Sequence, residues 1–103
     1  MAQPINVFRP QSAGTVNLAV TGSTGSVALT GNATVYRLFN AGTATVFVEF
    51  GTSAVTATTA TGMPLAAGAT EFIRAPTANT VPYVAALTAS GTATLYATAG
   101  EGF

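Results

Sequence analysis

The stretch Tyr36-Arg37-Leu38-Phe39-Asn40-Ala41-Gly42-Thr43-Ala44-Thr45-Val46-Phe47-Val48-Glu49-Phe50 decides how this chain folds. Two runs rich in aromatic and β-branched side chains flank Asn40-Ala41-Gly42, a turn signal. In the second run Val46, Val48 and Phe50 share one side, and Thr45, Phe47 and Glu49 share the other. Successive side chains of a strand point to opposite faces, so this alternation reads as strand, turn, strand.

The same grammar extends in both directions. Toward the N-terminus, Val16, Leu18 and Val20 alternate with Thr15, Asn17 and Ala19; toward the C-terminus, Tyr83, Ala85 and Leu87 alternate with Val84, Ala86 and Thr88. The spacing predicts strands over residues 15–20, 26–29, 34–39, 45–50, 54–58, 70–73, 83–88 and 92–98. Turn segments rich in Gly, Pro or Asn separate most of them, among them Gly62-Met63-Pro64 and Ala66-Ala67-Gly68. Abundant Ala would suit helices, but frequent Thr and Gly lower helix propensity and argue against them. The expected fold is all-β: a small antiparallel β-sandwich or jelly-roll-like barrel of about eight short strands. A recurring Gly-x-x-Thr-aliphatic-aromatic pattern starts at Gly31, Gly42 and Gly91. Its uneven separations make it a way of leaving turns for strands rather than a structural repeat.

With 103 residues the chain fits one modest core. Residues 1–13 are expected to form an extended N-terminal arm, and residues 14–103 a single β domain. Pro4 and Pro10 bracket Ile5-Asn6-Val7-Phe8, disfavour helix there and leave three large apolar side chains in need of a surface. That surface is either an edge of the chain's own sheet or a neighbouring subunit, which makes Ile5, Val7 and Phe8 candidate intersubunit contacts. Met1-Ala2-Gln3-Pro4 lacks the basic start and apolar run of a secretory signal, so synthesis in a cytoplasm is expected. The longest unbroken apolar run, Tyr83-Val84-Ala85-Ala86-Leu87, is far too short for a membrane-spanning helix.

Only 6% of residues are charged, against about a quarter in ordinary domains. They are Arg9, Arg37, Arg74, Glu49, Glu71 and Glu101, with no Lys, Asp, His, Cys or Trp. A neutral surface rich in Thr, Ser and Asn has little self-repulsion, which favours association. Disulfides and thiolate metal sites are excluded. Three Arg without Lys make a poor track for phosphates, so no nucleic-acid partner is expected. Catalysis usually draws on His, Cys, Lys or tuned carboxylate pairs, and only Glu49 and Glu71 offer a conceivable pair, of glycosidase type. No catalytic residue, metal or cofactor is expected. Tyr36, Tyr83 and Tyr96 with neighbouring Asn side chains offer material for a shallow glycan site, although buried packing is the commoner fate of such rings. Arg37, set among apolar residues, calls for a partner, and Glu49 on the adjoining predicted strand is the candidate for a structural ion pair.

The quoted stretch, continued to Gly51, resembles small structural proteins of tailed bacteriophages. So do Met63-Pro64-Leu65-Ala66-Ala67-Gly68, Val84-Ala85-Ala86-Leu87-Thr88-Ala89-Ser90-Gly91-Thr92-Ala93-Thr94-Leu95-Tyr96 and Gly100-Glu101-Gly102. The similarity spans residues 34–102 and carries no catalytic signature. It implies a virion protein that decorates or cements a capsid as a β-sandwich or jelly-roll oligomer. The implied partners are the major capsid protein and further copies of itself, with trimers fitting local three-fold positions. The other role it implies is that of a tail or tail-fibre component that binds a receptor or glycan.

Overall fold

In the computed structural model, residues 7–31, 33–74 and 82–102 are described. Eight strands run in chain order: β1 (Arg9–Val20), β2 (Gly25–Ala28), β3 (Val35–Asn40), β4 (Val46–Gly51), β5 (Met63–Leu65), β6 (Thr70–Arg74), β7 (Tyr83–Thr88) and β8 (Ala93–Glu101). They form two four-stranded sheets, sheet A in the order β1-β8-β3-β6 and sheet B in the order β2-β7-β4-β5. Every pairing is antiparallel. The fold is an all-β sandwich with two separate sheets rather than a closed barrel, and there is no helix among the described residues.

The period-2 alternation read from the sequence sets what lies between the sheets. Sheet A contributes Val20, Tyr36, Leu38, Leu95, Ala97 and Ala99, and sheet B contributes Val46, Val48, Leu65, Val84 and Ala86 to one buried cluster. Small Ala side chains on β8 face the larger aliphatic side chains of sheet B, which lets the two layers interdigitate. Val16, Leu18 and Ile73 pack at its margin and are only partly covered.

Chain neighbours β3 and β4 belong to different sheets, and Asn40 holds the crossing. Its side chain is fully buried and donates from Nδ2 to the carbonyls of Ala44 (2.8 Å) and Leu65 (2.9 Å), while Oδ1 accepts from Gly42 N–H (3.0 Å). One amide thus closes the 41–45 turn and ties the end of β3 to β5 in the opposite sheet. Gly42 has no room for a side chain, since a Cβ there would collide with the Ala93 side chain. Buried Thr88 is satisfied in the same manner, donating to Gly91 O at 2.7 Å. No buried side-chain polar atom lacks a partner among the described residues, as the cost of burying an unsatisfied polar group requires.

Three local differences from the expected strand pattern have physical causes. Residues 54–58 are not a strand, because their backbone groups bond elsewhere: Val55 N–H to Thr52 O, Ala57 N–H to Thr24 Oγ1 and Thr58 N–H to Glu49 Oε2. The expected turn at Gly62-Met63-Pro64 instead leads into β5, a three-residue edge strand on which Pro64 is tolerated. Strand β1 also starts earlier than residue 15. Arg9 pairs with Glu101 and Pro10 with Gly100, and a register shift follows before Thr15. Within that shift Ala13 has φ 56°, and a Cβ at Gly14 would lie 2.9 Å from Gln11 Cβ. This is a bulge built on a left-handed residue and a glycine. From Arg9 onward, then, the Pro-bracketed opening segment is part of the chain's own sheet.

Candidate functional site

Each sheet has an outer face, and the two are finished differently. On sheet B, the outward side chains of the inner strands include Ala85 and Leu87 on β7 and Phe47 and Glu49 on β4. The connection from β4 to β5, residues 52–62, folds back over them. A Cβ at Gly62 would meet Phe47 Cβ at 3.0 Å, and one at Gly51 would meet Val55 Cβ at 3.1 Å. Ala57 N–H reaches Thr24 Oγ1 (2.9 Å), just before the far edge strand β2, so the strap crosses the width of the sheet. Beneath it Ala85 is fully buried although it points away from the core, and Ala57 is buried with it. Glu49 is the anchor: Oε2 accepts from Thr58 N–H (3.2 Å) and from the Thr61 hydroxyl (2.9 Å).

On sheet A no strap crosses the outward row among the described residues. Register places Asn17, Tyr96, Phe39 and Thr70 in one line across the four strands, and Thr15, Thr98, Arg37 and Phe72 in the next. Phe39 and Tyr96 stack with ring centroids 6.5 Å apart and 26° between planes. The Arg37 guanidinium carbon lies 5.5 Å from the Phe39 ring centre, a cation–π arrangement. Its Nη2 donates to Thr70 Oγ1 at a long 3.5 Å, and Thr15 and Thr98 share a hydroxyl–hydroxyl bond of 2.8 Å. Phe72 is 41% exposed and Tyr96 37%. The face therefore offers aromatic rings, hydroxyls and the Arg37 guanidinium, with a hollow beside it lined by Val35, Phe72, Ile73 and Arg74.

Arg37 and Glu49 are not brought together. Their strands follow one another in the chain but lie in different sheets, and both side chains point outward, so the whole sandwich separates them. Arg37 finds Phe39 and Thr70 instead, and Glu49 finds the strap. Glu49 and Glu71 likewise sit in different sheets. Among the described residues no group of three or more His, Cys, Asp or Glu is placed to hold a metal.

Of the apolar residues in the opening segment, Ile5 lies outside the described residues. Val7 is 62% exposed. Phe8 lies on the chain's own sheet A: its ring is 5.3 Å from that of Phe72, and a Cβ at Gly100 would lie 2.6 Å from Phe8 ring carbons. The three tyrosines divide. Tyr36 is buried, with its hydroxyl donating to Thr30 O at 2.6 Å and burial pushing its pKa up. Tyr83 is half-buried on the outward side of sheet B, and Tyr96 belongs to the open face. Phe39 and Phe72 complete that face and were not singled out by reading the sequence. Their signal was available in the outward parity of Arg37 and Phe39, opposite the inward Leu38 and Asn40. No family model, no curated protein and no solved structure matches this chain.

Proposed function

We propose that this protein is a structural subunit that works by docking, and that its role is to decorate or cement the capsid of a tailed phage. One observation carries the reading: the chain lays its own strap across the outer face of sheet B and exposes Tyr96 and Phe72 on the outer face of sheet A. Tyr and Arg are the residue types that concentrate binding energy in protein interfaces, and here Tyr96 and Arg37 flank Phe39 on a rigid sheet. With formal net charge zero, attachment relies on shape and apolar contact rather than long-range steering. The bound occupant is a neighbouring subunit of the shell.

The experiment is to locate the protein in purified virions from the genome that encodes it, by mass spectrometry and immunogold labelling. Label distributed over the head supports the proposal, and Tyr96→Ala or Arg37→Ala should then reduce occupancy while leaving the fold intact. Absence from virions, or label confined to the tail tip, would sink it. The stacked Phe39 and Tyr96 rings beside the Thr70 and Asn17 side chains favour one other reading, a shallow glycan platform on a tail fibre. Binding of the purified chain to a glycan array, lost in Tyr96→Ala, is the result that would put that reading first.

A further inference from the structure

The sandwich has four edge strands, and three of them carry devices that block strand addition. β2 has four residues; β5 has three, including Pro64; β6 has five, with Glu71 and Arg74 on it. Short length, proline and charge are the usual ways of blunting an edge. β1 is different. Its first half is disrupted by Pro10, the left-handed Ala13 and the register shift. Its second half, Thr15-Val16-Asn17-Leu18-Ala19-Val20, is six regular residues with no charge, proline or glycine. Among the described residues no strand pairs with it on the side away from β8.

We infer that this half of β1 pairs with the same segment of a second copy, antiparallel across a two-fold axis, joining two A sheets into one eight-stranded sheet. The segment is complementary to itself. Side chains opposite one another in an antiparallel pair share a face, so an isologous register must match inward with inward residues. With Leu18 on the axis it meets its own counterpart, Val16 meets Val20, and Asn17 meets Ala19. All inward pairs are then apolar. Val16 and Leu18, only partly covered at the margin of the core, are closed over by their copies. No like charges oppose one another, which is the usual penalty against self-pairing. The outer faces of the two A sheets run on into each other, so the aromatic face doubles in extent without being consumed. The pairing uses the backbone edge of β1 and leaves the rings of the proposed docking face free, and the inference stands whether or not the protein belongs to a capsid.

The test is sedimentation equilibrium on the full chain, with Ala19→Lys and Asn17→Lys as variants and Thr70→Lys on β6 as the matched edge control. Both β1 positions are exposed, so the substitutions need not disturb folding, which far-UV circular dichroism and melting would verify. The expected result is a wild-type dimer, weakened at least about tenfold by either β1 variant and unaltered by the β6 variant. Paired cysteines at Asn17 and Ala19 should cross-link the dimer under oxidation, whereas the single Asn17→Cys should not. A wild-type chain that stays monomeric at the highest soluble concentration overturns the proposal. So does a dimer indifferent to the β1 variants, or one dissociated by Thr70→Lys.

Discussion

The outer faces of sheets A and B are built from the same alternating strands, yet one is crossed by a strap of the chain's own and the other presents exposed rings. On sheet B the eleven residues 52–62 return across the strands, and outward Ala85 ends up as buried as the core. On sheet A the corresponding positions hold exposed Tyr96 and Phe72 and half-buried Phe39 and Arg37. Residue choice follows the covering. Beneath the middle of the strap the outward side chain is the small Ala85, which leaves room for backbone to pass, while the other face carries Phe39, Tyr96 and Phe72, with Phe8 packed at its edge. A strand pattern alone therefore does not say which side of a sheet is available to a partner. The long connection does.

The sharpest way to break this comparison is to place the same charge at an outward position of the inner strand in each sheet. Ala85→Lys has to bury an ammonium under the strap or lift the strap off. It should cost about 3–5 kcal/mol in urea unfolding. Thr94→Lys on β8 should stay within about 0.5 kcal/mol. Equal tolerance at both positions would mean that the strap is not a cover.

Next comes the anchor. Glu49→Ala removes two hydrogen-bond acceptances from the strap and should cost about 1–2 kcal/mol. Amide exchange should rise in residues 52–62 while the strands remain protected. Uniformly faster exchange would show that the strap unfolds only with the whole domain.

The core between the faces supplies a reference. Tyr36→Phe should lose about 1 kcal/mol with its bond to Thr30 O. Burial raises the Tyr36 pKa above its ordinary 10.0, so the unfolded chain releases this proton first as pH rises. Stability contributed by the neutral phenol is complete below pH 10.0 and declines above it, until the folded phenol ionises as well. Urea midpoints measured across this range should show the decline in the wild type and a shallower one in Tyr36→Phe. The smallest effect is expected for Arg37→Ala, within about 0.5 kcal/mol, because its polar contact is long and exposed. A large loss there would make the open face structural rather than available.

The strand runs were legible wherever alternation was clean, as at Val16-Leu18-Val20 and Val46-Val48-Phe50, because one face of each had to be buried. Residues 54–58 carried an equally plausible pattern and failed, since Thr24 and Glu49, distant in sequence, capture their backbone groups. The Arg37–Glu49 ion pair was inferred from adjacency along the chain. Asn40 defeats that inference by sending the chain across to the other sheet after β3, and a lone Asn before a turn gives no sign that it will bind a carbonyl on β5. The open face was half legible: alternation put Arg37 and Phe39 together on one side, but Phe72 and Tyr96 join them only through strand order, which local pattern does not encode.

That strand order has a consequence for synthesis. The inner strand β8, which both β1 and β3 require, is the last of the eight to leave the ribosome. Until it arrives, β1 has no ladder partner in sheet A, and β3 and β6 form at most a lone hairpin-like pair, marginal in water. Sheet B, by contrast, is complete once β7 has been made. Sheet A should therefore close late, between segments far apart in the chain and at a correspondingly slow rate. Stalled nascent chains that end before β8 should be protease-sensitive throughout residues 9–20, and they are the species a cell would have to shield from aggregation.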